Sequence, residues 1–175
     1  MLSEGAWVSL DRNNSFAHSN DSWYLLDSTE PFIPERKSLK KLKLALVGCG
    51  AIARLHLDGL KEQVPEISVT AVVDTDPEKR DAYAVETGAE PYASLEVALT
   101  KGDFDAVDIM LPHDLHESAA LQCFEAGKHV LLEKPMATDL EACGRILEGA
   151  GRAGNVFMVG ENAQYWPEIV KAKEV

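Results

Sequence analysis

The sequence predicts an α/β fold, a doubly wound parallel sheet with helices on both faces. Three observations predict it. Short aliphatic runs alternate without a break with amphipathic helical stretches from residue 43 to the end of the chain. Several of the runs are nearly continuous in apolar residues, as in strands buried on both faces. The first run stops at a glycine turn that passes directly into a helical pattern. Right-handed crossovers between parallel strands then carry the helices to both sides of the sheet.

The elements follow in order. KLALVG is the first strand, and AIARLHLDGLKEQ the first helix, with Ile52, Leu55, Gly59 and Leu60 on one stripe. SVTAVVD is the second strand. DPEKRDAYAVETG is a helix that Asp76 caps, Pro77 opens and Gly88 ends. AEPYA is a short third strand, followed by SLEVALTKG, a short helix capped by Ser94. FDAVDIMLP is the fourth strand. HESAALQCFEAGK is a helix with Ala119, Ala120, Cys123 and Phe124 inward and Gly127 after its end. HVLLEKP is the fifth strand. TDLEACGRILEGAGRAG is a helix with Leu140, Cys143 and Leu147 inward. VFMVG is the sixth strand, and WPEIVKAKEV begins a last helix.

Residues 1–40 differ in kind. They are rich in Ser, Asn and Asp, with scattered aromatic residues, and read as an extension that is loose or docked. A dinucleotide-binding domain is expected over 41–165, and the start of a linking helix over 166–175. The 175 residues carry 17 basic and 29 acidic side chains, a net charge of −12 that repels polyanions and argues against nucleic acid. The apolar runs are too short to span a bilayer, and the N-terminus has no basic start followed by an apolar core. Cys49, Cys123 and Cys143 are an odd number without metal-ligand spacing, so buried, reduced thiols in a cytoplasmic chain are expected and no metal site.

Gly48-Cys49-Gly50-Ala51-Ile52-Ala53 has the G-x-G-x-x-A form of a Rossmann-type dinucleotide fingerprint. The first glycine permits the tight turn, the second lets a pyrophosphate approach the backbone, and Ala53 lets helix and strand pack closely. Free amides and the helix dipole favour the anion. Asp74 ends the second strand 24 residues after Gly50, near the spacing of about 20 expected of a carboxylate on ribose hydroxyls. The same charge repels a 2′-phosphate and favours NAD over NADP. Leu111-Pro112 ends the fourth strand at the sheet edge where ligands bind, with His113, Asp114 and His116 just after it. Glu133-Lys134-Pro135 ends the fifth strand at that edge, so the two loops should be neighbours. Lys134 there is suited to donate a proton or anchor a substrate. His56, on the first helix, and His129, opening a strand, are expected to be structural.

GCGAIA, the Asp74 strand end, P-x-x-x-H at Pro112–His116, AGKHVLLEKPMA and VGENAQYWP together resemble the Gfo/Idh/MocA family of nicotinamide-dependent oxidoreductases, over residues 43–175. The resemblance implies that Gly48, Gly50, Ala51 and Ile52 cradle the pyrophosphate and that Asp74 with Thr75 meets the adenosine ribose. It implies that Leu111, Pro112 and His113, with His116 close by, border the cofactor near the nicotinamide ribose. Glu133 and Lys134 would lie by the nicotinamide, with Lys134 catalytic or substrate-orienting, and Asn162 would approach the same end. Gln164 stands where the family often has an arginine.

The implied chemistry is hydride transfer between NAD and a hydroxyl-bearing carbon of a polyol, sugar, cyclitol or diol. The alternative is a non-catalytic NAD-binding module that regulates or joins another subunit. The family adds a second, substrate-binding domain after this point, so the chain is expected to be a fragment or truncated product, with homo-oligomer formation left open.

Overall fold

The computed structural model describes residues 41–173. The expected extension over 1–40 and the final two residues lie outside them. Six strands form one sheet: β1 (Leu42–Val47), β2 (Ile67–Val73), β3 (Glu90–Tyr92), β4 (Ala106–Ile109), β5 (His129–Leu132) and β6 (Phe157–Val159). Their order is β3-β2-β1-β4-β5-β6, and every neighbouring pair is parallel. The order reverses between β1 and β4, which opens a crevice at their C-terminal ends. Six helices connect or follow the strands: α1 (Ala51–Gln63), α2 (Pro77–Thr87), α3 (Leu95–Lys101), α4 (His116–Glu125), α5 (Leu140–Ala153) and α6 (Pro167–Lys173). The α/β, Rossmann-type expectation holds for all six strands.

Several helix boundaries have local causes. The Asp76 carboxylate accepts the amides of Glu78 and Lys79 at the start of α2, with Pro77 in its first turn. Ser94 Oγ accepts the Val97 amide at the start of α3, and Asp139 accepts the Ala142 amide, 2.8 Å away, at the start of α5. These side chains satisfy amides that the helix itself leaves unpaired.

The period of two along each strand sorts side chains between two cores. On one face Val47, Val107, Ile109, Val130 and Leu132 pack with Ala98 of α3, Phe124 of α4 and Ile146 of α5. On the other, Leu44, Leu46, Val72 and Ala106 pack with Leu57 of α1, and Tyr83 and Ala84 of α2 lie against them. Cys49 and Cys123 are buried free thiols, and burial pushes them up to about 11 and about 12 respectively; Cys143 is half-buried.

Two expected helix faces are corrected. In α1 the fully buried residues are Ala53 and Leu57, whereas Ile52 and Leu55 are exposed. The inner stripe is Ala53, His56, Leu57 and Leu60. The small residue that allows close packing on the strand necessarily faces it, which turns Ile52 toward the crevice. In α5 the buried residues are Ala142, Ile146, Gly149 and Ala150; Leu140 is 86% exposed and Leu147 is exposed too. A Cβ on Gly149 would lie 2.6 Å from Leu121 Cδ2. α5 thus approaches α4 through its small residues, and the larger leucines are left outside. The inward face of α4 is as expected: Ala119, Ala120, Cys123 and Phe124 are buried.

Candidate functional site

The C-terminal ends of β1, β4 and β5 bring most of the expected site residues together. Gly48, just past β1, has φ +95°, and a Cβ there would lie 2.6 Å from the Met110 carbonyl oxygen. Only glycine lets the two chain segments approach so closely across the switch in strand order. Gly50, the cap residue of α1, has open space where its Cβ would be, and no side chain caps the helix. Gly50 and Ala51 are exposed and no side chain caps the first amides of α1, an arrangement suited to an anion.

Asp74 is half-buried at the end of β2. Its Oδ2 accepts the Cys49 amide at 2.7 Å and its Oδ1 accepts the Asp76 amide at 2.8 Å. The carboxylate therefore ties the glycine turn to the end of the neighbouring strand, and each oxygen keeps a lone pair. Thr75 follows it, exposed.

A cleft of about 200 Å³ is lined by Ile52, Met110, Leu111, His113, Glu133 and Lys134. Five of these were expected from the sequence; Met110 was not, and its place is set by the close approach of Gly48. Pro112 is exposed beside the cleft, and the peptide between Lys134 and Pro135 is cis. A larger hollow of about 460 Å³ is lined by Lys43, Thr70, Glu90, Tyr92, Lys101 and Asp103, and gathers none of the expected site residues.

His116 is placed differently from His113. His113 is exposed in the cleft, while His116 is fully buried, with the two rings in an edge contact at 5.5 Å. The His116 ring nitrogens each lie 2.9 Å from a carbonyl oxygen, Nδ1 from Pro135 and Nε2 from Leu111. His116 thus pins the loop after β4 to the loop after β5. Asn162 is exposed beyond β6, two residues after Gly160, whose amide donates to the Leu132 carbonyl. It does not line the cleft. His129 accepts the Val156 amide on its Nδ1 and braces the approach to β6, a structural role as expected.

The residue that sequence reasoning passed over is His56. Its Nδ1 lies 2.8 Å from Asp108 Oδ2 and its Nε2 lies 3.1 Å from Glu133 Oε1. The second Glu133 oxygen accepts the Lys134 amide at 2.9 Å. The hydrogen bond to Asp108 raises the His56 pKa above its ordinary value, with Glu133 adding to the shift against the opposing effect of burial. A signal was present in the sequence. Asp108 is a carboxylate inside the apolar strand AVDI, and a buried charge requires a partner.

The comparisons bear on this geometry. A family model described as an oxidoreductase family with an NAD-binding Rossmann fold matches residues 42–161. The chain is 32% identical over 127 residues to a 4-carboxy-2-hydroxymuconate-6-semialdehyde dehydrogenase of Sphingobium sp., covering 72% of this chain and 40% of that protein. It is 33% identical over 136 residues to an inositol 2-dehydrogenase of Saccharopolyspora erythraea, covering 77% and 40%. Among solved structures, the WlbA dehydrogenase of Chromobacterium violaceum, in complex with NADH and UDP-GlcNAcA, superposes with a TM-score of 0.75 at 33% identity, covering 79% of this chain and 40% of that one. The chain thus spans about 40% of the length of these relatives.

Proposed function

The chain belongs to the oxidoreductase family with an NAD-binding Rossmann fold, and on that premise we propose that residues 41–165 bind NAD across the ends of β1, β4 and β5. They would serve as the cofactor half of an enzyme that oxidises or reduces a hydroxyl-bearing carbon. The observation that carries this reading is the cleft itself. It gathers Lys134, Glu133 and Ile52 at the foot of a helix whose first amides have no side-chain cap.

The residues present fit the dinucleotide. The missing Cβ of Gly50 leaves open backbone where a pyrophosphate must approach, Gly48 lets the turn close against Met110, and the first amides of α1, at Ala51 and Ile52, have no side-chain cap. Asp74 and Thr75 would hold the adenosine ribose. The Asp74 carboxylate, anchored by two amides, would repel a 2′-phosphate and so select NAD over NADP. Leu111, Pro112 and His113 would border the nicotinamide ribose, with His116 holding their loop against that of Lys134 and Asn162 near the same end. The nicotinamide, when bound, supplies the hydride chemistry. Lys134 Nζ would orient the substrate hydroxyl and hold or deliver its proton. The intact Glu133-Lys134-Pro135 favours a catalytic over a merely binding module.

The substrate class is a polyol, cyclitol or sugar-like molecule, a reading supported by the inositol dehydrogenase and UDP-GlcNAcA-bound relatives. The residues expected as a linking helix form α6 as far as Lys173 and would lead toward a substrate-binding region. No helix among the described residues is long and apolar enough to cross a membrane. We place the protein in the cytoplasm on its buried free thiols. Calorimetric titration of the chain with NADH and NADPH, alongside Asp74→Ala, tests the proposal. Tighter binding of NADH, with the preference lost in the variant, is expected; failure of either dinucleotide to bind would overturn it.

A further inference from the structure

Asp108 is 1% exposed, points to the α1 side of β4, and has one oxygen, Oδ1, without a hydrogen-bond partner. An anion so placed is tolerated only beside a compensating charge. Among the described residues, the basic side chain hydrogen-bonded to it is His56, from the inner stripe of α1. His56 also reaches Glu133, the residue that precedes the proposed catalytic lysine. Glu133 in turn accepts the Lys134 main-chain amide through its other oxygen. The result is one continuous line of hydrogen bonds from the floor of the sheet, through the imidazole, to the backbone of Lys134.

We infer that His56 is a positioning residue for the Glu133–Lys134 segment, bridging Asp108 and Glu133 so that the cofactor-facing loop after β5 is held in one place. The inference rests on the reading of Lys134 as the residue beside the nicotinamide. The bridge needs a doubly protonated ring. An imidazolium donates to both carboxylates, whereas a neutral ring carries a single N–H and can donate to one of them only. Loss of that proton therefore frees either the anchor at Asp108 or the hold on Glu133.

Asp108 from β4 and Glu133 beyond β5 are the charged groups that face the ring. On its own helix, Arg54, Asp58 and Lys61 pair with one another or with Glu86 of α2. The facing residues of β1, Leu44 and Leu46, are apolar. The two carboxylates meet opposite ring nitrogens, and among the described residues no group of three or more His, Cys, Asp or Glu could hold a metal ion. His113 lines the same cleft and His116 backs the loop. Both rings lie close enough to the loop that their signals must be followed separately from that of His56.

The test is a pH titration of the 175-residue chain by nuclear magnetic resonance, following the imidazole protons of His56, His113 and His116 and the amide of Lys134. The Lys134 amide should shift with the midpoint of His56, which should lie above the ordinary histidine value, and should not follow His113 or His116. A Lys134 amide that ignores His56 overturns the inference, and this readout needs neither a variant nor a cofactor. In parallel, NADH affinity should weaken as pH rises through the His56 midpoint. In His56→Gln it should be roughly tenfold weaker at pH 6, the loss of one hydrogen bond to a charged group, and nearly flat with pH. A His56→Gln protein with wild-type affinity and the wild-type pH profile also overturns it. Amide coupling in a chain that binds no NADH at any pH would instead sink the cofactor reading and leave the bridge standing.

Discussion

The two faces of the sheet are built to different ends. On the face covered by α3, α4 and α5, strand residues such as Val107, Ile109, Val130 and Leu132 meet a continuous apolar layer, and Phe124 and Phe157 cross edge to face at 5.4 Å. On the other face the neighbours of those same residues are Ala106, Asp108, Leu131 and Glu133, and past them Met158 is 45% exposed. α1 and α2 cover the β1–β2 side of that face, and where the cover thins toward β5 the chain places its ionic bridge and its candidate lysine. One face spends its alternation on packing and the other on polar groups that need access. A single strand, β4, carries both programmes on alternate residues.

Substitutions at adjacent positions can break that contrast. Ile109→Ala, on the packed face, should lose about 2–5 kcal/mol of stability in urea unfolding, through lost burial and an unfilled cavity. A loss well below that would mean the packed face can collapse around the gap. Gly48→Ala should cost about 1–3 kcal/mol through its positive φ alone, with the Met110 carbonyl forced aside as well. It should also abolish NADH binding where Ile109→Ala does not.

On the polar face the expected effect is smaller and depends on pH. The hydrogen bond to Asp108 raises the His56 pKa in the folded chain above the ordinary histidine value of 6.5. Its contribution is therefore fully present below about pH 6.5 and is lost as pH rises through the folded value. The wild-type advantage in urea midpoint over His56→Gln should be greatest near pH 6 and shrink toward pH 9. An advantage that grows with pH would reverse the assignment. Met158→Gln, on the open part of that face, should change stability by no more than about 0.5 kcal/mol. A large loss would show that something covers β6 in solution.

Much of this was legible in one dimension. Five of the six strands fall where an apolar run does, β3 (Glu90–Tyr92) being the exception, and the caps at Asp76 and Ser94 and the inward face of α4 follow local rules. The glycine turn and the strand-end loops were legible as neighbours, because parallel connectivity forces the C-terminal ends of β1, β4 and β5 to one edge. The faces of α1 and α5 were not. Their large apolar residues drew the reading outward to Ile52, Leu55, Leu140 and Leu147, whereas close packing selected Ala53, Gly149 and Ala150. The roles of the histidines were equally hidden. His56 and His116 lie on different helices, and nothing local distinguishes one that bridges two carboxylates from one that pins two carbonyls.

By itself, then, the sequence determined the order of elements, the turn of a form that suits a dinucleotide and the edge to which the candidate site residues come. Those follow from periodicity, capping and chain connectivity, which are local or nearly so. Only the tertiary structure decided how α1 is rotated on the sheet, and hence that His56 meets Asp108 and Glu133, residues 52 and 77 positions away. That choice depends on how closely backbones approach and where a buried charge finds its partner, and both are settled by distances between segments that no stretch of sequence contains.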